Sequence, residues 1–363
     1  RASIQEEERV STFVNTGIQQ VGIGVPDMEA AFRWYARYFG MDIPVFQDAG
    51  EAPLMTRYTG NQVQTRTATL AMSIQGGGGF EVWQFTSRNT VPPSFQPQLG
   101  DLGIYAVRMK SRNILTAARS LTREGLTIIT GPGTAPDGGR HFLVSDNHGL
   151  VFDIVESTSW FASSKAATGG VAGVQVGVSE MERSIAFYRD VLGYDVVLSD
   201  TEGVFQDLDG AAGGDKPLRR VLLSHSAEPR GAFARLIGSS RIELVQSLDR
   251  EPQKLFENRF WGDLGFIHLC FDVRGMDALK QHCESLGYPF TVDSGDTFEM
   301  GDAGGRFSYV EDPDGTLIEF VETHKLPLVK SLGWSLDLAS RNPEKPLPGF
   351  MLRLLALGRV KNP

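Results

Sequence analysis

From residue 19 to 25 apolar and polar positions alternate with a period of two, and the run is rich in β-branched residues, which predicts a strand. The spacing then changes: Phe32, Tyr35, Ala36 and Phe39 recur at helical intervals. Pro26 and Asp27 open this helix, with Asp27 as its N-cap and Gly40 as its stop. Strands are expected near 66–74 and 80–85. The glycines at 76–79 read as the turn between them; neither a helix nor a Lys-Ser/Thr pair follows, so this is not a phosphate loop. The order repeats further on, with a strand at 174–178, a helix at 180–192 and strands near 219–224 and 241–246. Two more helices are expected near 114–124 and 276–286. Two late hairpins turn on Asp146-Asn147-His148-Gly149 and Asp312-Pro313-Asp314-Gly315, where Asp312 and Asp314 read as turn formers.

These patterns are four copies of one unit. IQQVGIGVPDMEAAFRWYARYFGMD, from Ile18 to Asp42, matches VAGVQVGVSEMERSIAFYRDVLGYD, from Val171 to Asp195. Asp101-Leu102-Gly103 returns as Asp263-Leu264-Gly265, and Gly138-Gly139-Arg140 as Gly304-Gly305-Arg306. The prediction is an α+β chain of four βαβββ modules in two halves. Residues 17–156 hold modules one and two, 171–323 hold modules three and four, and the Ser- and Gly-rich stretch 157–170 links them. A basic extension fills 324–363, with Lys325, Lys330, Arg341, Lys345, Arg353, Arg359 and Lys361 against Asp337 and Glu344. A short amphipathic helix over 350–357 would dock on the body or meet a partner or anionic surface.

Composition narrows the partners. The net charge of −9 gives no basic face for nucleic acid. No apolar run reaches the roughly 20 residues needed to cross a membrane as a helix. No export signal is evident, which favours a cytoplasmic location and leaves a cleaved leader open, since the chain starts at Arg1. The two cysteines, Cys270 and Cys283, are too few for a disulfide scaffold and are expected to be buried free thiols.

Paired βαβββ modules ending in Asp312-Pro313-Asp314-Gly315 and, four residues on, Glu319 resemble the vicinal oxygen chelate superfamily, which includes glyoxalase I, extradiol dioxygenases and bleomycin resistance proteins. The resemblance covers residues 17 to 322 and is closest in the fourth copy, where Phe266-Ile267-His268-Leu269 and the stretch from Phe307 to Glu319 resemble the second half of glyoxalase I. It implies cup-shaped mixed sheets made of two modules each, with helices outside. It also implies one divalent metal per complete cup, held by a residue from the first and the last strand of each module.

Those positions are Gln20 and Glu81 in copy one, Ala106 and Asp153 in copy two, Gly173 and Glu243 in copy three, and His268 and Glu319 in copy four. Two pairings remain open. Joining one with two and three with four leaves both cups short of ligands. Joining one with four and two with three, as in four-module glyoxalases, gives Gln20, Glu81, His268 and Glu319, the ligand order of zinc glyoxalase I. The resemblance then implies a metal ion, zinc or nickel by preference, acting as a Lewis acid on a small oxygenated substrate through an enediolate-like intermediate. Glu319, and Glu81 opposite it, would carry the proton as a lyase, isomerase or epimerase requires.

His141 and His148 are turn or pocket histidines rather than ligands on this reading. The alternatives are a metal-free small-molecule binding or resistance protein and, with less support, an extradiol-type dioxygenase. The latter resembles a site with two histidines, and Gly173 stands where the first would be. Gly24 and Phe85 replace the side chains that hold glutathione in glyoxalase I, and Trp83 and Phe85 suggest an apolar entrance. With four modules in one chain, a monomer or a homodimer is expected.

Overall fold

The computed structural model describes residues 12–295, 298–300, 303–329 and 333–360; Lys330 and Lys361 of the basic extension lie outside the described residues. Module one comprises β1 (Val14–Gly24), α1 (Met28–Phe39), β2 (Ile43–Glu51), β3 (Thr65–Met72) and β4 (Gly79–Phe85). Module two comprises β5 (Gly103–Ser111), α2 (Ile114–Arg123), the short β6 (Thr127–Ile128) and β7 (Gly133–Thr134), β8 (Arg140–Ser145) and β9 (Val151–Glu156). Module three follows with β10 (Val171–Gly177), α3 (Met181–Asp190), β11 (Val196–Gly203), β12 (Leu218–Ser224), α4 (Ala234–Ile237) and β13 (Arg241–Ser247). Module four has β14 (Gly265–Arg274), α5 (Met276–Ser285), β15 (Val292–Asp293), β16 (Phe298–Met300), β17 (Ala303–Glu311) and β18 (Leu317–Val329). β19 (Trp334–Asp337) and α6 (Gly349–Arg353) belong to the extension.

α1 forms where its end signals place it. The Asp27 carboxylate accepts from the Ala30 N–H at 2.9 Å, and Gly40 takes φ 65°, the left-handed stop that glycine adopts without a Cβ penalty. Between these ends Phe32, Tyr35, Ala36 and Phe39 are buried on one face. β11 escapes the alternation signal because most of it is exposed.

The strands form two mixed sheets. The first runs β15-β17-β18-β14-β1-β4-β3-β2 and joins module four to module one through the antiparallel pair β1–β14. The second runs β11-β12-β13-β10-β5-β9-β8-β6 and joins module three to module two. The modules therefore pair one with four and two with three, and each sheet takes strands from both sequence halves. Each sheet curls into a cup, with the helices packed on its outer side. The outer sides of both sheets share one core that includes Tyr35, Phe80, Val107, Val176, Phe187 and Phe271.

The hairpin aspartates tie modules together. Asp312 accepts from the N–H groups of Asp314 and Thr316, and its second oxygen accepts from the Tyr188 hydroxyl at 3.0 Å. Asp146 does the same within its own turn and receives the Tyr35 hydroxyl at 2.7 Å. The repeated Asp-Leu-Gly is a second staple. Asp263 accepts from Arg88, from the Val91 N–H and from the Phe260 N–H, and its own carbonyl would lie 2.0 Å from a Cβ on Gly24. At the equivalent crossing the Asp101 carbonyl would lie 1.8 Å from a Cβ on Gly177. These repeated residues are architecture.

The segment 157–170 packs on the body. Gln75 donates to the Thr168 carbonyl at 2.7 Å, and Gly76 and Gly77, at φ 93° and 104°, let this backbone approach closely. β18 continues past residue 323 and carries the chain into the extension. There Leu347, Leu352 and Leu355 are buried, and Arg359 pairs with Asp42 at 2.6 Å. No helix among the described residues is long and apolar enough to cross a membrane.

Candidate metal centre in the first cup

Two adjacent cross-strand rows carry the four candidate ligands. In one row Gly22 lies between Glu81 on β4 and His268 on β14. In the next, two residues away on the same face, Cys270 lies between Gln20 on β1 and Glu319 on β18. The centres of both rows are small. A Cβ on Gly22 would stand 2.5 Å from His268 Cε1, so the imidazole lies across a position that only glycine leaves clear.

The three ionisable side chains converge. His268 Nε2 is 3.2 Å from Glu81 Oε2 and 3.1 Å from Glu319 Oε2, and one ligand atom from each residue falls within 4.8 Å of the others. All three are buried, His268 completely. Proximity is not matched by direction: His268 Nε2 and Glu319 Oε2 make no hydrogen bond, and Gln20 Oε1, in the same cavity, has no partner. Buried polar atoms without partners are costly, and a cluster aimed at one point fits a missing ligand better than a polar core. Burial lifts Glu319 to about 7, with His268 opposing and Glu81 adding to the rise. Burial works against the His268 cation, but Glu319 and Glu81 outweigh it and raise its pKa.

Two carboxylates, one imidazole and an amide oxygen suit a divalent cation, cancelling its charge and leaving positions open. Tyr309, opposite Glu319 on β17, reaches His268 Nδ1 with its hydroxyl at 3.2 Å and orients the ring. Trp261 stacks on the imidazole at 6.4 Å between centroids. The superfamily resemblance, read across the repeat copies, points to the four ligand positions but not to Gly22, Tyr309 or Trp261. Gly22 and Cys270 lie two residues beyond the ligand positions, and their small size is a readable signal.

The second cup uses the same positions differently. Its row centres are Gln175 in place of Gly22 and Arg108 in place of Cys270. Arg108 Nε donates to Asp153 at 3.0 Å, and Gln175 Nε2 to Glu243 at 2.7 Å. Arg220 bridges Glu243 and Asp207 at 2.8 and 2.7 Å. His141 bridges Asp153 and Asp207 at 2.7 and 2.9 Å. Gly173, at φ 155°, would place a Cβ 1.7 Å from the Arg241 carbonyl, so no side chain fits where a ligand would begin.

A cavity of about 430 Å³ opens over the first cup, lined mainly by apolar side chains that include Met55, Trp83, Phe233 and Leu355. The extension thus supplies part of its wall. Trp83 lines the cavity as expected of an apolar entrance. Phe85 does not: Arg88 stacks on its ring at 5.0 Å, and it packs beside Gly262.

A family model for the Glyoxalase/Bleomycin resistance protein/Dioxygenase superfamily matches residues 17–154 and again 170–320. The chain belongs to this superfamily. Among solved structures, glyoxalase I from Zea mays superposes with a TM-score of 0.54 at 14% identity, over 86% of this chain and 92% of that one. A Bacillus subtilis protein titled a presumptive dioxygenase gives the same TM-score and identity, over 85% and 86% of the two chains. At such identity the likeness is one of fold. No curated protein sequence matches the chain. Members of the superfamily act on small molecules and bind a divalent metal, and this member has a buried Glu-His-Glu cluster.

Proposed function

We propose that the first cup is a metal-dependent active site of the glyoxalase type, in which Gln20, Glu81, His268 and Glu319 hold one divalent cation and a small oxygenated substrate is isomerised, epimerised or cleaved. The observation that carries this reading is the buried, convergent set of Glu81, His268 and Glu319, with Gln20 Oε1, His268 Nε2 and Glu319 Oε2 left without partners. A bound cation supplies Lewis acidity toward oxygens on adjacent substrate carbons.

The protein's own groups supply the rest. His268, with Nδ1 turned to Tyr309, would present its Nε2 lone pair toward the two carboxylates. Glu319 is buried beside a second carboxylate, which makes it a stronger base once freed from a ligand; it would move the proton between adjacent carbons, with Glu81 serving the opposite face. The apolar cavity wall excludes water from an anionic species. The side chain that holds glutathione in glyoxalase I has no counterpart at Gly24, where a Cβ would lie 2.0 Å from the Asp263 carbonyl. The cluster has one imidazole, whereas a ferrous facial triad needs two.

Elemental analysis of protein purified without added metal is expected to give about one divalent ion per chain. Two equivalents of similar affinity, or none after loading with zinc, nickel and manganese, would overturn the reading. Glu319→Gln is expected to retain metal through its amide oxygen and to lose turnover by about 10²–10⁴-fold.

A further inference from the structure

The cavity wall contains one feature that a metal centre does not use. Arg66, on β3, is 6% exposed and is the only cation among the described residues lining the cavity. Its Nη2 meets Asp48 at 2.7 Å, and its guanidinium lies over the Trp83 ring at 5.2 Å. Its Nε and Nη1 are buried and have no partner. The indole N–H groups of Trp83 and Trp261, which also line the cavity, have none either. A guanidinium serving Asp48 alone would lie at the surface, where water satisfies its other donors. Buried here, its unpaired N–H groups are costly unless something in the cavity accepts from them.

Position sets what that acceptor can be. Along the β3–β4 pair, Leu70 faces Glu81, Ala68 faces Trp83 and Arg66 faces Phe85. Arg66 and Leu70 are four residues apart on one face, about 13 Å along the strand. The candidate metal cluster and the guanidinium therefore stand at opposite ends of the wall, with Trp83 between them. The other charged side chains among the described lining residues, Glu51, Glu81, Glu299 and Glu319, are all acids, so Arg66 is the charge there that would attract an anion.

Resting on the proposed active site for its first end, we propose that the substrate is an amphipathic acid. It would place vicinal oxygens at the Glu81–His268–Glu319 end, an aromatic or branched apolar body against Trp83 and Met55, and a carboxylate on Arg66. Arginine recognises a carboxylate through charge-assisted hydrogen bonds and tolerates an aromatic face behind it, which is the setting here.

The test uses full-length protein stripped with EDTA, so that the metal site plays no part. The probes are 3-phenylpropionate and its neutral isostere 3-phenylpropionamide, titrated by calorimetry and by quenching of tryptophan fluorescence. The acid is expected to bind about tenfold or more tightly than the amide. Arg66→Gln should bring the acid down to the amide's affinity, and Arg66→Lys should retain part of the preference. Equal affinity of acid and amide for the wild-type protein, or no binding of the acid, would overturn the proposal without any variant. So would a preference that survives in folded Arg66→Gln protein. Failure here leaves the metal reading standing, and failure of metal loading would remove the vicinal-oxygen end of the proposal while leaving the Arg66 carboxylate site to this test.

Discussion

At their row centres the first cup has Gly22 and Cys270, and the second has Arg108 and Gln175. Around those centres the first cup gathers two carboxylates and a histidine with unmet polar atoms. The second gathers three carboxylates, two guanidiniums and a histidine; every carboxylate is engaged, and the atoms left without a hydrogen bond there are Arg108 Nη1, Arg220 Nη2 and Gln175 Oε1. Asp153, Asp207 and Glu243 all stay below the usual carboxylate range: burial raises them, and the neighbouring cations His141, Arg108 and Arg220 outweigh it. The same backbone positions thus give an incomplete site in one sheet and a self-neutralised core in the other. A pair of side chains near the ligand rows decides between them.

The strongest way to break this comparison is to truncate one ionisable side chain in each cup. Glu81→Ala or His268→Ala should remove most bound metal while the fold persists. Asp153→Ala should leave metal stoichiometry near one but cost about 3–5 kcal/mol of stability, because it strands the buried Arg108 guanidinium; Glu243→Ala should also spare the metal and cost less, because Arg220 keeps Asp207. Metal analysis together with chemical denaturation separates the two outcomes. Metal content that followed Glu243 and ignored Glu81 would reverse the assignment of the cups.

A subtler substitution tests whether the small row centre matters. Gly22→Ala places a methyl against the His268 ring and should weaken metal binding by about tenfold or more, with little change in the circular dichroism spectrum. Unchanged affinity, measured by competition with a chelator, would mean that the imidazole does not act from this position.

The second cup should also leave a mark on the pH profile. Burial opposes the His141 cation, but Asp153 and Asp207 prevail and lift its pKa to about 10. A pKa raised in the folded state contributes stability in full below the unfolded value near 6.5. That contribution is lost as pH rises through about 10. Melting temperatures of His141→Gln should therefore start lower and fall less between pH 6.5 and 10 than those of the wild type. Parallel slopes would refute the linkage. The smallest effect is expected at the partly exposed Arg359–Asp42 pair, where Arg359→Ala should cost no more than about 1 kcal/mol in urea.

Much of this architecture is legible in the amino-acid sequence itself. The helix ends at Asp27 and Gly40 and the hairpin aspartates follow from local chemistry, and the four ligand positions from the superfamily resemblance read across the repeat copies. Arg108, Arg220, Asp207 and Arg66 are not legible there. Each is an ordinary polar residue in its own strand or loop, and its role comes from partners that strand pairing and the curl of the sheet bring close. His141 reads as a turn or pocket histidine for the same reason, since its two acids lie 12 and 66 residues away.

The pairing of first module with last has a consequence for biosynthesis. Gln19 meets Asp272 from a distance of 253 residues. While the chain is being made, the inner sheet of modules two and three can close as soon as β13 has emerged. β1 must wait with an unpaired edge until β14 arrives, a state prone to wrong association. The cup carrying the candidate chemistry is therefore the last part of the molecule to exist, and a chain cut short before Glu319 would hold the charged core of the second cup and lack the Glu81–His268–Glu319 cluster.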